Sequence, residues 1–326
     1  MDVRNLSLAP ARRPAGRSCV VRLLAATALV CAMDAATAGA QNAPPPAAPA
    51  PAPAPSAATA NINISPKRVT FDRNTRSATV FVFNQGTAPA TVDIALVDRI
   101  MLPNGQIVPA AEAESDAKLK PELDQLKSAK TMTLVTPRRA VLEPGKGQTI
   151  RLRINPDANA AGEFRTHLTV TTVPPRDVGL TAEQAANTAP NQLRFIITST
   201  FGISIPVIIR EGAPDVRASI ANARLTYANI SPDNVKPPQR TAVVDLDLVR
   251  QGASSLFGNV EIRSAKAKGG DPLGVIRGVG VYPEIEKRSL EIPLTRPPAA
   301  GEALEVTFTD DDTSPGSILA RSAVGS

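Results

Sequence analysis

Apolar residues recur at every second position in one short run after another, and turn-forming residues separate the runs. "SATVFVFNQG" sets Val80 and Val82 against Phe81 and Phe83, and "QTIRLRI" sets Ile150, Leu152 and Ile154 against Thr149, Arg151 and Arg153. Side chains that change sides at each residue belong to a strand with one face on a core. Between the runs stand "NQGTAP", "LPNG", "EPGKG" and "NPDANAAG", which carry the glycine, proline and asparagine chemistry of tight turns. Seven runs, from "NINISPKRVTF" to "NQLRFIITSTFGISIPVIIRE", predict a β-sandwich of the immunoglobulin type. One interruption, "AAEAESDAKLKPELDQLKSAK", has the composition of a short helix broken at Pro121 and reads as an insertion on the sandwich surface. The pattern resets around "IIREGAPDV", where Gly212 and Pro214 mark a junction, and six more runs predict a second, smaller sandwich. The expected fold class is all-β, with sandwich domains over 61–211 and 212–326.

Neither domain includes the beginning of the chain. Arg12, Arg13, Arg17 and Arg22 lead into "LLAATALVCAM", an apolar run too short to span a bilayer, and "ATAGA" supplies small residues at Ala38 and Ala40. This is the layout of a secretory signal peptide over 1–40, with cleavage expected after Ala40 and export to the periplasm. A lipoprotein signal ending at Cys31 competes poorly, because Val30 before it is not small. Both cysteines, Cys19 and Cys31, fall in this leader, so disulfides and thiolate chemistry are excluded from the remainder. Five arginines against two aspartates give the leader +3 of the chain's +6, and the remaining +3 argues against a nucleic-acid partner. The Ala-Pro tract "QNAPPPAAPAPAPAPSAATA", residues 41–60, favours extended polyproline conformation and reads as a semi-rigid tether.

The last run of the first sandwich is unusually long. Its odd positions are Leu193, Phe195, Ile197, Ser199, Phe201, Ile203 and Ile205, and its even positions are mixed or polar. Phe201, Ile203 and Ile205 are expected in the core. Leu193, Phe195 and Ile197 adjoin the long loop "DVGLTAEQAANTAPN" and are either inner-face residues or an apolar row offered to a partner.

Catalytic chemistry has little to stand on. His167 is the single histidine, sits within a strand-like run and has no nucleophile elbow to serve. One histidine without cysteine makes a zinc site untenable. Asp310, Asp311 and Asp312 could attract a cation but read as a solvated turn, and "PGKGQT" lacks the spacing of a phosphate loop. No enzyme, no cofactor and no metal are expected.

Four ordered stretches of the first sandwich resemble the N-terminal domain of the PapD-like periplasmic pilus chaperones. They are "ISPKRVTF", with Arg68 three residues before Phe71; "SATVFVFNQGTAPATVDIALVD", with Asn84 and Pro89; "VTPRRAVLEPGKGQTIRLRI"; and "GEFRTHLTVTTVPPR", with Glu163 eleven residues before Pro174. The second half resembles the family more faintly, through "LVRQGASSLFGNVEI". The resemblance implies two immunoglobulin-like sandwiches and a non-enzymatic chaperone. Such a chaperone binds pilus or fimbrial subunits that lack their last strand, lends them its own, and delivers them to an outer-membrane usher. Leu193, Phe195 and Ile197 then form the donor strand, and unloaded chains are expected to self-associate through that edge. The resemblance also implies that Arg68 anchors the subunit's C-terminal carboxylate, a structural salt bridge being the alternative. The family's second anchor, a lysine, is missing. Ser204 stands at its place, with Lys67 or Arg165 as possible compensating charges. The competing function is a structural or adhesive two-sandwich protein that chaperones nothing.

Overall fold

The computed structural model describes residues 60–174, 200–231, 237–266 and 271–325. The first sandwich is built from β1 (Ile62–Ser65), β2 (Val69–Phe71), β3 (Ser77–Asn84), β4 (Ala90–Val97), β5 (Arg99–Met101) and β6 (Ile107–Pro109). Two short helices follow, α1 (Ala110–Ala113) and α2 (Lys120–Gln125), and then β7 (Thr133–Thr136), β8 (Arg139–Leu142), β9 (Gly147–Ile154), β10 (Gly162–Val173) and β11 (Gly202–Glu211). Its two sheets run β1–β3–β9–β7 and β2–β11–β10–β4–β8, while β5 and β6 form a hairpin of their own. The second sandwich comprises β12 (Ala218–Ile230), β13 (Gln239–Arg250), β14 (Leu256–Ser264), β15 (Gly274–Val281), β16 (Lys287–Pro293), β17 (Leu304–Asp310) and β18 (Ile318–Ala323). These strands form sheets β12–β13–β16 and β15–β14–β17–β18. The chain is all-β in class.

Alternation places the core. Val80, Val82, Ile150 and Leu152 are buried on the inner face of the first sheet, whereas Phe81, on the opposite face of β3, is 46% exposed. Both faces of β3 are apolar, and the compact branched valines take the inner one. Phe81 instead lies over Gly147 on β9, where a side chain would collide with its ring. The first strand of the sandwich changes sheets: β1 pairs with β3, and beyond the cis Ser65–Pro66 bond β2 runs parallel to β11, from Val69 opposite Val207 to Phe71 opposite Ile209.

The two cores share elements. Ile205, Val207 and Ile209 of β11 face the first core with Phe71 and Val82, but Ile208 points the other way into the second, with Leu248, Val260, Val306 and Phe308. The insertion departs from the surface helix expected from its composition. Pro121 lies in the first turn of α2, where a missing N–H is harmless, so the segment makes two helices. Leu119, Leu123 and Leu126 pack on Ile100, Val108 and Ala113. The β5–β6 hairpin beside them reaches the second sandwich, where Met101 joins its core and Ser289 N–H donates to Pro103 O at 2.9 Å. Among the described residues, no helix is long and apolar enough to cross a membrane.

Candidate functional site

β11 organises the candidate site. One of its edges is paired along its length with β10, from Gly162 opposite Glu211 to Thr171 opposite Gly202, and Thr172 N–H extends the ladder by donating to Phe201 O at 2.8 Å. The other edge is covered by β2 only at Val207–Ile209. From Gly202 to Pro206 it has no pairing strand among the described residues. Backbone groups alternate in direction along a strand. With Phe201 turned toward β10, the N–H and C=O of Gly202 and Ser204 point to the uncovered side. Pro206 occupies the next such position, where a ladder donor is not required. Beside this edge lies a cleft of about 300 Å³ lined by Ala60, Ile62, Val170, Phe201 and Ile203. Phe201 is 63% exposed, against the expectation that it is core, because it stands just ahead of the strand, beyond the cover of the facing sheet. Ile205, two pairs further along, is buried as expected, and Ile203 packs against the core's margin.

The same face of β11 that carries Ser204 also carries Arg210, and there the two sandwiches meet through charges. Arg210 Nε donates to Glu163 Oε2 at 2.9 Å, and its Nη2 donates to Asp312 Oδ2 at 2.8 Å and Ser255 Oγ at 3.2 Å. Arg68, just before β2, donates from Nη2 to the same Asp312 oxygen at 2.9 Å, with its guanidinium 4.6 Å from the centre of the Phe257 ring. Glu163 Oε2 also accepts from the Ser255 N–H at 3.1 Å. Burial pushes the Asp312 carboxyl up, but Arg68 and then Arg210 outweigh it and hold the group below its usual range. For Arg210, burial works against the charge, and Glu163 and Asp312 more than offset it.

A second buried pair sits further along β10. Arg165 is 2% exposed and bonded to Glu284 of the second sandwich, and its Nη2 also donates to Arg99 O at 2.9 Å. Its guanidinium lies 4.1 Å from the Tyr282 ring centre, and burial lowers its pKa to about 10. His167 neighbours it, 3.3 Å from Arg165 Nη1 to the ring Nδ1. Burial, then the charges of Arg165 and Arg99, hold the imidazole well below its ordinary range.

Arg68 and Ser204 occupy one side of the β2–β11 sheet but make different contacts. Arg68 is ion-paired with Asp312, whereas Ser204 exchanges a hydrogen bond with Thr169 of β10 at 2.8 Å. Leu193, Phe195 and Ile197 lie outside the described residues. Of the suggested substitutes for the missing lysine, Arg165 is ion-paired with Glu284, and exposed Lys67 donates to Asn63 Oδ1. The solvated-turn reading holds for exposed Asp311 but is corrected for its neighbours, since Asp310 is 2% exposed and Asp312 belongs to the ionic cluster. Arg210, Glu163 as an arginine partner, Ser255 and Asp312 escaped sequence reasoning. A buried charge in an otherwise apolar run, as in "IPVIIRE", was the available signal.

No protein-family profile and no curated protein sequence matches this chain significantly. Its backbone is similar to solved structures of chaperones. The Pseudomonas aeruginosa CupB2 chaperone aligns at 14% identity with a TM-score of 0.39, covering 81% of this chain and 100% of that one. The YadV chaperone aligns at 13% identity and a TM-score of 0.39, covering 80% and 98%. The CsuC–CsuE chaperone–tip adhesion subunit complex of the archaic chaperone-usher Csu pili of Acinetobacter baumannii aligns at 11% identity and 0.38, covering 81% and 98%. At such scores the likeness assigns no role to any residue here.

Proposed function

We propose that this chain is a periplasmic assembly chaperone of the PapD-like family, which lends a strand to secreted pilus or fimbrial subunits and hands them to an outer-membrane usher. The observation that carries this reading is the uncovered edge of β11 from Gly202 to Pro206, which continues in sequence the apolar row Leu193, Phe195 and Ile197. An edge with unpaired N–H and C=O groups accepts another strand through backbone hydrogen bonds, and side chains at alternate positions select which strand. Each large apolar side chain taken out of water contributes roughly 1.5–3 kcal/mol, before the cost of ordering the segment. An immunoglobulin-like subunit short of one strand is the partner whose exposed groove fits such a row. Unloaded, the same edge is an aggregation hazard that pairing between copies of the chain relieves. Arg68 receives the subunit's terminal carboxylate, to which a guanidinium offers a two-pronged fork. No step calls for a nucleotide, a metal or a catalytic residue. Removal of 1–40 after Ala40 releases the chain into the periplasm, with 41–60 as its tether.

The test draws the chain from Gln41 onward, tagged at its N-terminus, from periplasmic extract beside Ile197→Asp and Phe201→Asp variants. The co-purified protein is then reconstituted for amide hydrogen exchange. The expected result is one small secreted β-protein, lost in both variants, with slowed exchange at the Gly202 and Ser204 amides of the complex. A partner that binds Ile197→Asp equally well, or leaves those amides exchanging as in the unbound chain, overturns strand donation. A chain that captures nothing where candidate subunits are made favours the structural or adhesive alternative.

A further inference from the structure

We infer that Asn104 is a self-modifying site: the Gly105 nitrogen closes on the Asn104 carboxamide and expels ammonia, assisted by the Arg288 guanidinium. The inference stands apart from strand donation and rests on the tip of the β5–β6 hairpin.

Asn104 is exposed, and no other asparagine of the chain precedes a glycine. Its turn is closed by Leu102 N–H, which donates to Gln106 O at 2.8 Å, and by Gly105 N–H, which donates to Leu102 O at 2.7 Å. Gln106 N–H donates to Asn104 Oδ1 at 2.9 Å, which holds the side chain back along the backbone and draws electrons from its carbonyl carbon. Gly105 has a φ of +84°, and a Cβ there would overlap Arg288 Nε, Cζ and Nη2. Glycine alone meets both conditions, so no side chain shields the attacking nitrogen.

Arg288 supplies the charge. Its guanidinium lies against Gly105, its Nη1 donates to Gly280 O at 3.1 Å, and its Nε is buried without a partner. Among the described residues no carboxylate pairs with it, and burial lowers its pKa. A cation so placed favours negative charge that develops beside it. Such charge appears on the Gly105 nitrogen as it loses its proton, and on Asn104 Oδ1 in the tetrahedral intermediate. A bond forms between Gly105 N and Asn104 Cγ, the Cγ–Nδ2 bond breaks, and the proton from Gly105 N leaves with the amine as ammonia. Water then opens the cyclic imide. Opening at Cγ leaves aspartate, whereas opening at the main-chain carbonyl leaves isoaspartate.

The second product adds a carbon to the main chain of the turn. Pro103 O, which accepts from Ser289 N–H at 2.9 Å, belongs to that turn. Isoaspartate therefore loosens the hairpin from the second sandwich, and the change runs one way.

The chain from Gln41 onward is incubated folded in mildly alkaline buffer, and Asn104 is followed by peptide mapping and isoaspartyl methyltransferase labelling. Aspartate and isoaspartate should accumulate there at least as fast as in the same chain unfolded in urea. Arg288→Gln should slow the folded reaction at least threefold, and Arg288→Lys, which keeps the charge, should retain most of the rate. The isoaspartyl fraction should exchange its Ser289 amide faster than fresh protein. Asn104 that stays intact, reacts more slowly folded than in urea, or reacts equally fast in Arg288→Gln overturns the proposal. If Arg288→Gln does not fold, the comparison of folded and unfolded wild type decides alone. Unchanged Ser289 exchange overturns the loosening.

Discussion

Replacing His167 with glutamine should remove most of the chain's stability change between pH 7 and pH 5. His167 is the single histidine, so few other side chains titrate in that interval. In the folded chain burial, reinforced by Arg165 and Arg99, keeps the ring neutral well below its ordinary range. In the unfolded chain it takes up a proton near pH ~6.5. The unfolded state therefore binds more protons as the pH falls, and the stabilisation is fully present above that value and lost beneath it. The loss approaches about 1.4 kcal/mol per pH unit, or about 2 kcal/mol in all between pH 7 and pH 5. Against a typical stability of about 5–15 kcal/mol this is easily measured by urea unfolding followed by circular dichroism. Glutamine retains an acceptor for Arg165 Nη1, which lies 3.3 Å from the ring Nδ1, but cannot titrate. A wild-type loss under about 0.5 kcal/mol, or an equal loss in His167→Gln, refutes a neutral buried imidazole.

The pair beside it gives a second expectation. Glu284→Gln strands the charge of Arg165 and should cost about 3–5 kcal/mol in urea unfolding, whereas Arg165→Met combined with Glu284→Leu should recover most of that loss. Phe308→Ala, which empties a fully buried site in the second core, should cost about 3–5 kcal/mol, whereas exposed Phe201→Ala should change stability by no more than about 0.5 kcal/mol. Asp247 is held at a pKa of about 2 by hydrogen bonds from Lys287, Ser289 and Asn222. Its stabilisation is present above the ordinary 3.8 and lost as the pH falls from there toward about 2. Asp247→Asn should flatten that stretch of the acid-unfolding curve, and a curve parallel to wild type would count against the assignment.

Strand positions were legible because period-two patterning is local. Ile150, Leu152 and Ile154 against Thr149, Arg151 and Arg153 admit one inner face, and the structure has it. The run Val80–Phe83 admits either face; the structure buries the valines and lays Phe81 over Gly147 of β9, a cross-strand neighbour that no local pattern reveals. Pro121 was misjudged because proline ends a helix in one position and begins it in another, and only the surrounding packing on Ile100 and Val108 separates the two. The cluster was the least legible part. Arg68 and Asp312 are 244 residues apart, and Arg165 and Glu284 come from different sandwiches, so nothing in either neighbourhood names the partner. Phe201 fits the odd-face row as well as Ile205 does, yet it lies ahead of β11, where the facing sheet no longer covers it.

Ile208 has a consequence for how such chains can be rearranged. Because one residue of β11 fills the second core while its neighbours fill the first, the segment near Gly212 is not a seam. A second half transplanted from another protein would arrive without a core shaped to receive Ile208 and Met101, and without carboxylates placed for Arg165 and Arg210. The halves can change only in step, so shuffling at this junction yields misfits unless both faces of one strand are exchanged with it.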